Sequence, residues 1–240
     1  MQSSKKIITL LAITLFGVAT FVPSVEAAKS NANVEFKAPT TPPAILNPDN
    51  PEETLEPEEA EVRGDNPTGE YGILTLDAVS DFNFGEQELS AKNETYSLTN
   101  KSTPFAQVTD VRGTGEGWRL VASLDSFTDE DTKASLPGAT IRLNNTTHDK
   151  QKENGSEAPT SVSDEIVLSS DNASKTITTA AKDKNQGLGT WITKWVDSAD
   201  KEGVVLDVPA AVATKGTHTA EITWTLYNAP DGTDSVDLES

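Results

Sequence analysis

From Tyr71 onward the chain breaks into short runs rich in Val, Ile, Leu and Thr, among them YGILTLDAV, NETYSLT, PFAQVTDVRG, GWRLVASL, GATIRLNN, DEIVLS, GVVLDVPAA and THTAEITWTLYNAP. Gly, Pro, Asn and Asp separate the runs, and several alternate apolar with polar residues at the two-residue period of a half-buried strand. No stretch sustains a helical period, although DNASKTITTAAKDK is ambiguous. Eight to ten such strands over roughly 165 residues predict one all-β domain, a single antiparallel β-sandwich of Ig-like or Greek-key type. That length is ample for one core without covalent staples.

The alternation also assigns faces. Trp118, Leu120, Ala122 and Leu124 share one side of their strand, with Arg119, Val121 and Ser123 on the other. Near the C-terminus Ala220, Ile222, Trp224 and Leu226 face one way and Thr219, Glu221, Thr223 and Thr225 the opposite way. Two of the four tryptophans therefore sit in Trp-x-Leu pairs on apolar strand faces. Either the pairs pack between two facing sheets, or they present a binding surface. The shared face favours packing, and on that reading Trp224→Ala costs about 3–5 kcal/mol of stability.

Residues 28–69 have a different texture. Pro39, Pro42, Pro43, Pro48, Pro51 and Pro57 interrupt any helix, Glu52, Glu53, Glu56, Glu58, Glu59 and Glu61 repel one another, and large apolar residues are few. This predicts a disordered, acidic, Pro-rich linker ahead of a domain at 70–240. Within it Arg63-Gly64-Asp65 is either a cell-contact tripeptide of the kind integrins read or a turn that closes the linker. Residues 1–27 read as a secretory signal peptide: Lys5 and Lys6 precede an apolar run, Pro23 and Ser24 break it, and small or tolerated residues follow at 25–27. No second apolar stretch of membrane length follows, so no membrane span is expected after signal cleavage. The C-terminal DGTDSVDLES carries neither a hydrophobic tail nor a sortase-type signal, so surface attachment is expected to be non-covalent.

Composition narrows the function classes. With 38 acidic and 19 basic residues the net charge is −19; losing two Lys and one Glu with the signal would leave −20. Such a balance repels nucleic acid and denies bulk electrostatics as a means of holding an anionic wall polymer. There is no Cys, which excludes a lipoprotein anchor, a thiol nucleophile and Cys-ligated metal, and points to bacterial export.

Trp191 and Trp195 in GLGTWITKW lie outside the Trp-x-Leu pairs, beside Lys182, Lys184, Lys194 and Asp197. Exposed indole faces among polar groups suit sugar stacking, so Trp191, Trp195 and Lys194 form the candidate ligand surface; the alternative is a Trp that plugs the sandwich end. Asp110 and Arg112, two apart before GTGEG, make either a local ion pair ahead of a bulged turn or a polar clamp for a sugar or partner backbone. Asp125, Asp129, Glu130 and Asp131 gather in one loop without an EF-hand spacing, so no metal is assigned. His148 and His218 are the only histidines, and no Ser-His-Asp order or nucleophile elbow accompanies them. Neither catalysis nor a cofactor is expected.

The motifs YGILTLDAVSDFNFG, ETYSLT, QVTDVRGTGEGWRLVASL, VVLDVPAA and HTAEITWTLYNAP occur in the order found in the WxL domain of Gram-positive surface proteins. The chain resembles that family from about Tyr71 to Pro230, with His218 standing where Tyr is usual. The resemblance implies a cell-surface protein held non-covalently on peptidoglycan or another wall glycan, acting beside partner surface proteins and in some members linked to adhesion. It also makes Trp118, Leu120, Trp224 and Leu226 the signature residues. An alternative implied role is a subunit that grips a partner protein or host matrix and not the wall itself.

Overall fold

The computed structural model describes residues 29–171 and 173–230; the run assigned to a signal peptide lies outside them. The chain divides into two units, one ending at Phe36 and the other beginning at Lys37. In the first, residues 29–36 carry no helix or strand and are exposed. The second is all-β and sandwich-like, with one short helix among its described residues.

Three larger antiparallel sheets build it, beside two two-stranded ladders, an N-terminal hairpin and β8 (Thr128–Asp129) with β16 (His218–Thr219). The largest has the order β10 (Thr146–Asp149), β14 (Gly189–Trp195), β6 (Phe105–Asp110), β4 (Leu74–Ser80) and β3 (Asp65–Pro67). A second runs β11 (Thr160–Ser161), β13 (Lys175–Ala180), β7 (Trp118–Leu124) and β17 (Ile222–Tyr227). The third runs β12 (Glu165–Ser169), β9 (Thr140–Asn144), β15 (Val204–Val208) and β5 (Glu94–Ser97). Consecutive strands such as β4, β5, β6 and β7 change sheets, so no sheet is a simple meander. All three contribute to one core: Leu76, Val108 and Trp195 from the first, Trp118, Leu120 and Ile177 from the second, Ile141, Leu168 and Val204 from the third. Burial of those apolar faces is what couples sheets that share no ladder.

The expected linker is largely folded. Between residues 45 and 67 lie β1 (Ile45–Asn47), β2 (Asn50–Leu55), α1 (Pro57–Arg63) and β3. Ile45 pairs with Leu55, and together with Leu46 and Ala60 they pack on Ala78, Phe105 and Ile192 of the largest sheet. The Pro and Glu residues taken as disordering serve local geometry. Pro57 stands in the first turn of α1, Glu58 and Glu59 complement its N-terminal dipole, and Arg63 occupies its last turn. Counting apolar residues understated the segment, because the few present sit where a hairpin and one helical turn can point them the same way.

A buried glutamine seats this hairpin. Gln107 Oε1 accepts from Leu46 N–H (2.8 Å), while its Nε2 donates to Ala44 O (2.9 Å) and Asp77 Oδ2 (2.8 Å). Lys194 Nζ reaches Pro48 O (2.8 Å) in the hairpin turn. The largest sheet is thus covered on both faces, and the covering segment carries its own apolar contacts. Leu46 is 2% exposed, so Leu46→Ala is expected to lower unfolding free energy by about 2–5 kcal/mol in urea denaturation. A loose linker would give no change beyond about 0.5 kcal/mol.

Candidate wall-binding site

The two Trp-x-Leu pairs are neighbours in space. β17 pairs with β7 in antiparallel register, placing Leu226 opposite Leu120 and Trp224 opposite Ala122. Because the strands run in opposite directions, the leucines lie opposite each other and the tryptophans fall on either side of them. The two are unequally buried. Trp118 and Leu120 are fully buried, whereas Trp224 and Leu226 are half-buried and pack against the core from the sheet edge.

Trp118 is held by more than packing. Its Nε1 donates to Gly187 O at 3.0 Å. Gly187 has φ of 68°, and a Cβ there would lie 2.8 Å from Trp118 Nε1 and 2.4 Å from Ala180 Cβ. The indole therefore occupies space that only a glycine leaves open. Beside it, Arg112 closes the end of the sheet. Its Nε and Nη2 grip the Asp110 carboxylate at 3.0 and 2.8 Å, Nη1 donates to Asn228 O and Nη2 to Gly117 O. The pair is buried, with side chains 7% and 1% exposed. The local ion pair of Asp110 and Arg112 is present, and through it Arg112 also holds the protein's own backbone at the start of β7 and the end of β17. A planar guanidinium can do this because its fork satisfies a carboxylate and two carbonyls at once.

The surface expected around Trp191 and Trp195 is absent. Trp191 is 2% and Trp195 1% exposed. Trp191 Nε1 is shared between Ser156 Oγ (3.1 Å) and Leu188 O (3.0 Å), and Lys150 Nζ lies 4.8 Å from its ring centroid. Lys194 is engaged with Pro48 O and Asp149 Oδ2. Trp191 is covered by groups distant in sequence, Lys150 and Ser156, while Lys182 and Lys184 stay exposed in a turn and Lys194 belongs to the strand itself. Trp195 instead lies against Phe82 (5.9 Å, edge to face) and Trp224 (5.7 Å), so the second signature tryptophan supports a tryptophan outside the signature.

Arg63-Gly64-Asp65 is not displayed for a receptor. Gly64 is the left-handed C-cap of α1, with φ of 78°, and its N–H returns to Glu61 O. Asp65 is completely buried and accepts from Ser80 Oγ (2.6 Å) and Arg63 Nε (3.2 Å). The tripeptide spans a helix end and the start of a strand, which turns its carboxylate inward. In the acidic loop, Asp129 bends back on Thr132, accepting from its N–H and hydroxyl at 2.7 Å each.

Burial perturbs several titratable groups inside the fold: it raises the Asp65 carboxyl, and it moves Asp77 and His148 furthest. Burial raises the Asp77 carboxyl to about 6, against the lowering effect of hydrogen bonds from Thr109, Thr75 and Gln107. Burial lowers His148 to about 4, where its ring bridges Thr193 and Ser161. Asp77 went unnoticed in the sequence; the one signal was a carboxylate inside the mostly apolar run LTLDAV. The ladder slips between Leu76 and Ala78, and Asp77 lies at that irregularity.

Residues 24–230 match the family described as WxL domain surface cell wall-binding. The chain belongs to the WxL family. No curated protein and no solved structure matches it. WxL is a wall-binding family and not an enzyme family, and it places this protein at the cell surface. Among the described residues, no helix is long and apolar enough to cross a membrane. The match begins ahead of the first described strand, so the N-terminal hairpin and α1 are part of the WxL unit.

The burial difference separates two motifs that strand alternation treated alike. Trp118→Ala is expected to cost about 3–5 kcal/mol, and Trp224→Ala about half as much, in thermal or urea unfolding. The two buried titrations act in opposite directions over one window. Asp77, with a raised folded pKa, favours folding below 3.8 and loses that contribution as pH rises through about 6. His148, with a lowered folded pKa, costs nothing above 6.5 and destabilises as pH falls toward about 4. Relative to wild type, Asp77→Asn should gain stability on going from pH 4 to 7, and His148→Gln on going from pH 7 to 4. Each difference is on the order of 1–3 kcal/mol, read from melting curves at fixed ionic strength.

Proposed function

We propose that the protein docks peptidoglycan non-covalently through its WxL domain and works beside other surface proteins of one complex. The observation that carries this reading is the family match across residues 24–230, which spans the whole described β unit and both Trp-x-Leu pairs. The strong negative charge agrees with attachment through local, shape-specific contacts, because anionic wall polymers repel a chain of net −19 at long range. Arg112 and Trp118 support the reading indirectly: they fix the β7–β17 pair that the family signature marks, and contact neither wall nor partner themselves.

A second reading, a subunit that grips a partner surface protein or host matrix, is favoured by one feature. β17 ends its sheet, so one of its edges has no ladder partner among the described strands. The two readings separate in a sedimentation assay with purified Gram-positive sacculi stripped of protein. On the peptidoglycan reading the purified protein pellets with sacculi in a saturable manner and stays in solution without them. Retention in the supernatant across salt and pH, while an established wall binder pellets, would sink it in favour of the partner-gripping role.

A further inference from the structure

β17 is an edge strand without the usual protection. It is the outer strand of its sheet among the described residues, and its six residues, Ile222–Tyr227, include neither a charge nor a proline. The other outer strands of the three larger sheets are only two to five residues long. Shortness, charge and proline are the devices that keep an edge from pairing with another chain. The ladder with β7 fixes which backbone groups of β17 face outward. Asp125 N–H donates to Glu221 O at 2.9 Å, one step beyond the pair Ile222–Leu124. Bonded and non-bonded pairs alternate along an antiparallel ladder, so Thr223, Thr225 and Tyr227 direct their N–H and C=O groups at β7. Those of Ile222, Trp224 and Leu226 point to the open edge. Their side chains lie half-buried on the core face, and the sheet stops before it covers them.

The same chain carries a spare strand. In SNANVEFKAP, residues 30–39, Ala32, Val34 and Phe36 alternate with Asn33, Glu35 and Lys37 at the two-residue period of a half-buried strand, and Pro39 ends the run. Residues 29–36 take part in no ladder among the described residues, and Val34 and Phe36 are 76% and 89% exposed. An isolated strand of this kind gains nothing from its apolar side until a sheet receives it.

We propose that residues Asn33–Lys37 of one copy add as a strand to the β17 edge of a second copy. This goes beyond the peptidoglycan reading and does not depend on it. Main-chain hydrogen bonds to Ile222, Trp224 and Leu226 supply the hold, and alternate side chains set the register. Pairing is antiparallel, as it is between all neighbours in the β7 sheet. Phe36 then stands opposite Trp224 and Val34 opposite Leu226, extending the apolar face that β17 leaves half-covered. Glu35 falls between them on the other side, opposite the exposed Thr225. The contact joins two different surfaces of the chain, so copies exchange segments in a closed pair or add head to tail. The net charge of −19 on each copy opposes approach, and salt screens that repulsion while leaving the ladder intact.

The test is sedimentation equilibrium of the purified protein over a range of concentrations, at low and high salt, with a melting curve for each variant. Wild type should self-associate, and more tightly at high salt. Val34→Ser/Phe36→Ser should weaken association by about tenfold or more, with an unchanged melting temperature because both residues lie outside the β unit. Thr225→Glu sets like charges opposite each other and should weaken it about two- to fivefold; adding Glu35→Lys should restore it. A protein that stays monomeric up to its solubility limit overturns the proposal and leaves the β17 edge to a partner of another kind. Association unmoved by Val34→Ser/Phe36→Ser overturns it as well, and failure of Glu35→Lys to rescue Thr225→Glu overturns the register. Should Thr225→Glu melt early, the Val34→Ser/Phe36→Ser protein decides alone. Sacculus pelleting is measured separately, so either claim can fail while the other stands.

Discussion

The structure depends on one strand pairing, β7 with β17, in a register that sets Leu120 against Leu226. It joins the middle of the chain to its C-terminal end, so loop-closure entropy opposes it and only burial on the shared face can offset that cost. The antiparallel arrangement then sends Trp118 and Trp224 in opposite directions along the sheet. Each has a different neighbour: Trp118 the glycine-lined end closed by Arg112, Trp224 the buried ring of Trp195. A motif that occurs twice in the sequence is, in space, one two-ended brace.

Around this brace the fold meets its polar obligations with a few multivalent side chains. Arg112 satisfies a buried carboxylate and two carbonyls, and Gln107 links a backbone N–H, a backbone carbonyl and Asp77. In a low-dielectric interior these groups are costly when unmet, so a single substitution would expose several partners together. Asp77 illustrates the tension: three hydrogen bonds stabilise its charge, yet burial still dominates and lifts its pKa. His148 shows the same effect of burial with the opposite consequence for acid stability. Among the described residues the Trp195 indole N–H has no acceptor, whereas its counterparts at Trp118 and Trp191 are satisfied.

Much of the fold was legible because strand alternation is a local property. The inward faces of β7 and β17 follow from a two-residue period and need no knowledge of the partner strand. The N-terminal segment misled because its proline and glutamate content was weighed without position: Ile45, Leu46 and Leu55 bury well only when a sheet offers Phe105 and Ile192 to receive them. The tryptophans of β14 misled for a related reason. Groups far away in sequence, Lys150 and Ser156 at Trp191 and Phe82 and Trp224 at Trp195, cover these indoles, so polar neighbours along the chain did not mean water nearby. The tripeptide at Arg63 was likewise a matter of context, since a helix cap turned Asp65 inward.

What the sequence determined by itself is the class of fold, the inward faces of the signature strands, and the family, because periodicity and ordered motifs are written residue by residue. Tertiary structure alone decided the rest. It chose which strands pair, buried Trp191 and Asp65, seated the hairpin on Gln107, and left the Trp195 indole N–H without a partner among the described residues. The physical reason is that burial and hydrogen-bond satisfaction are properties of surroundings, and those surroundings come from segments far apart in the chain.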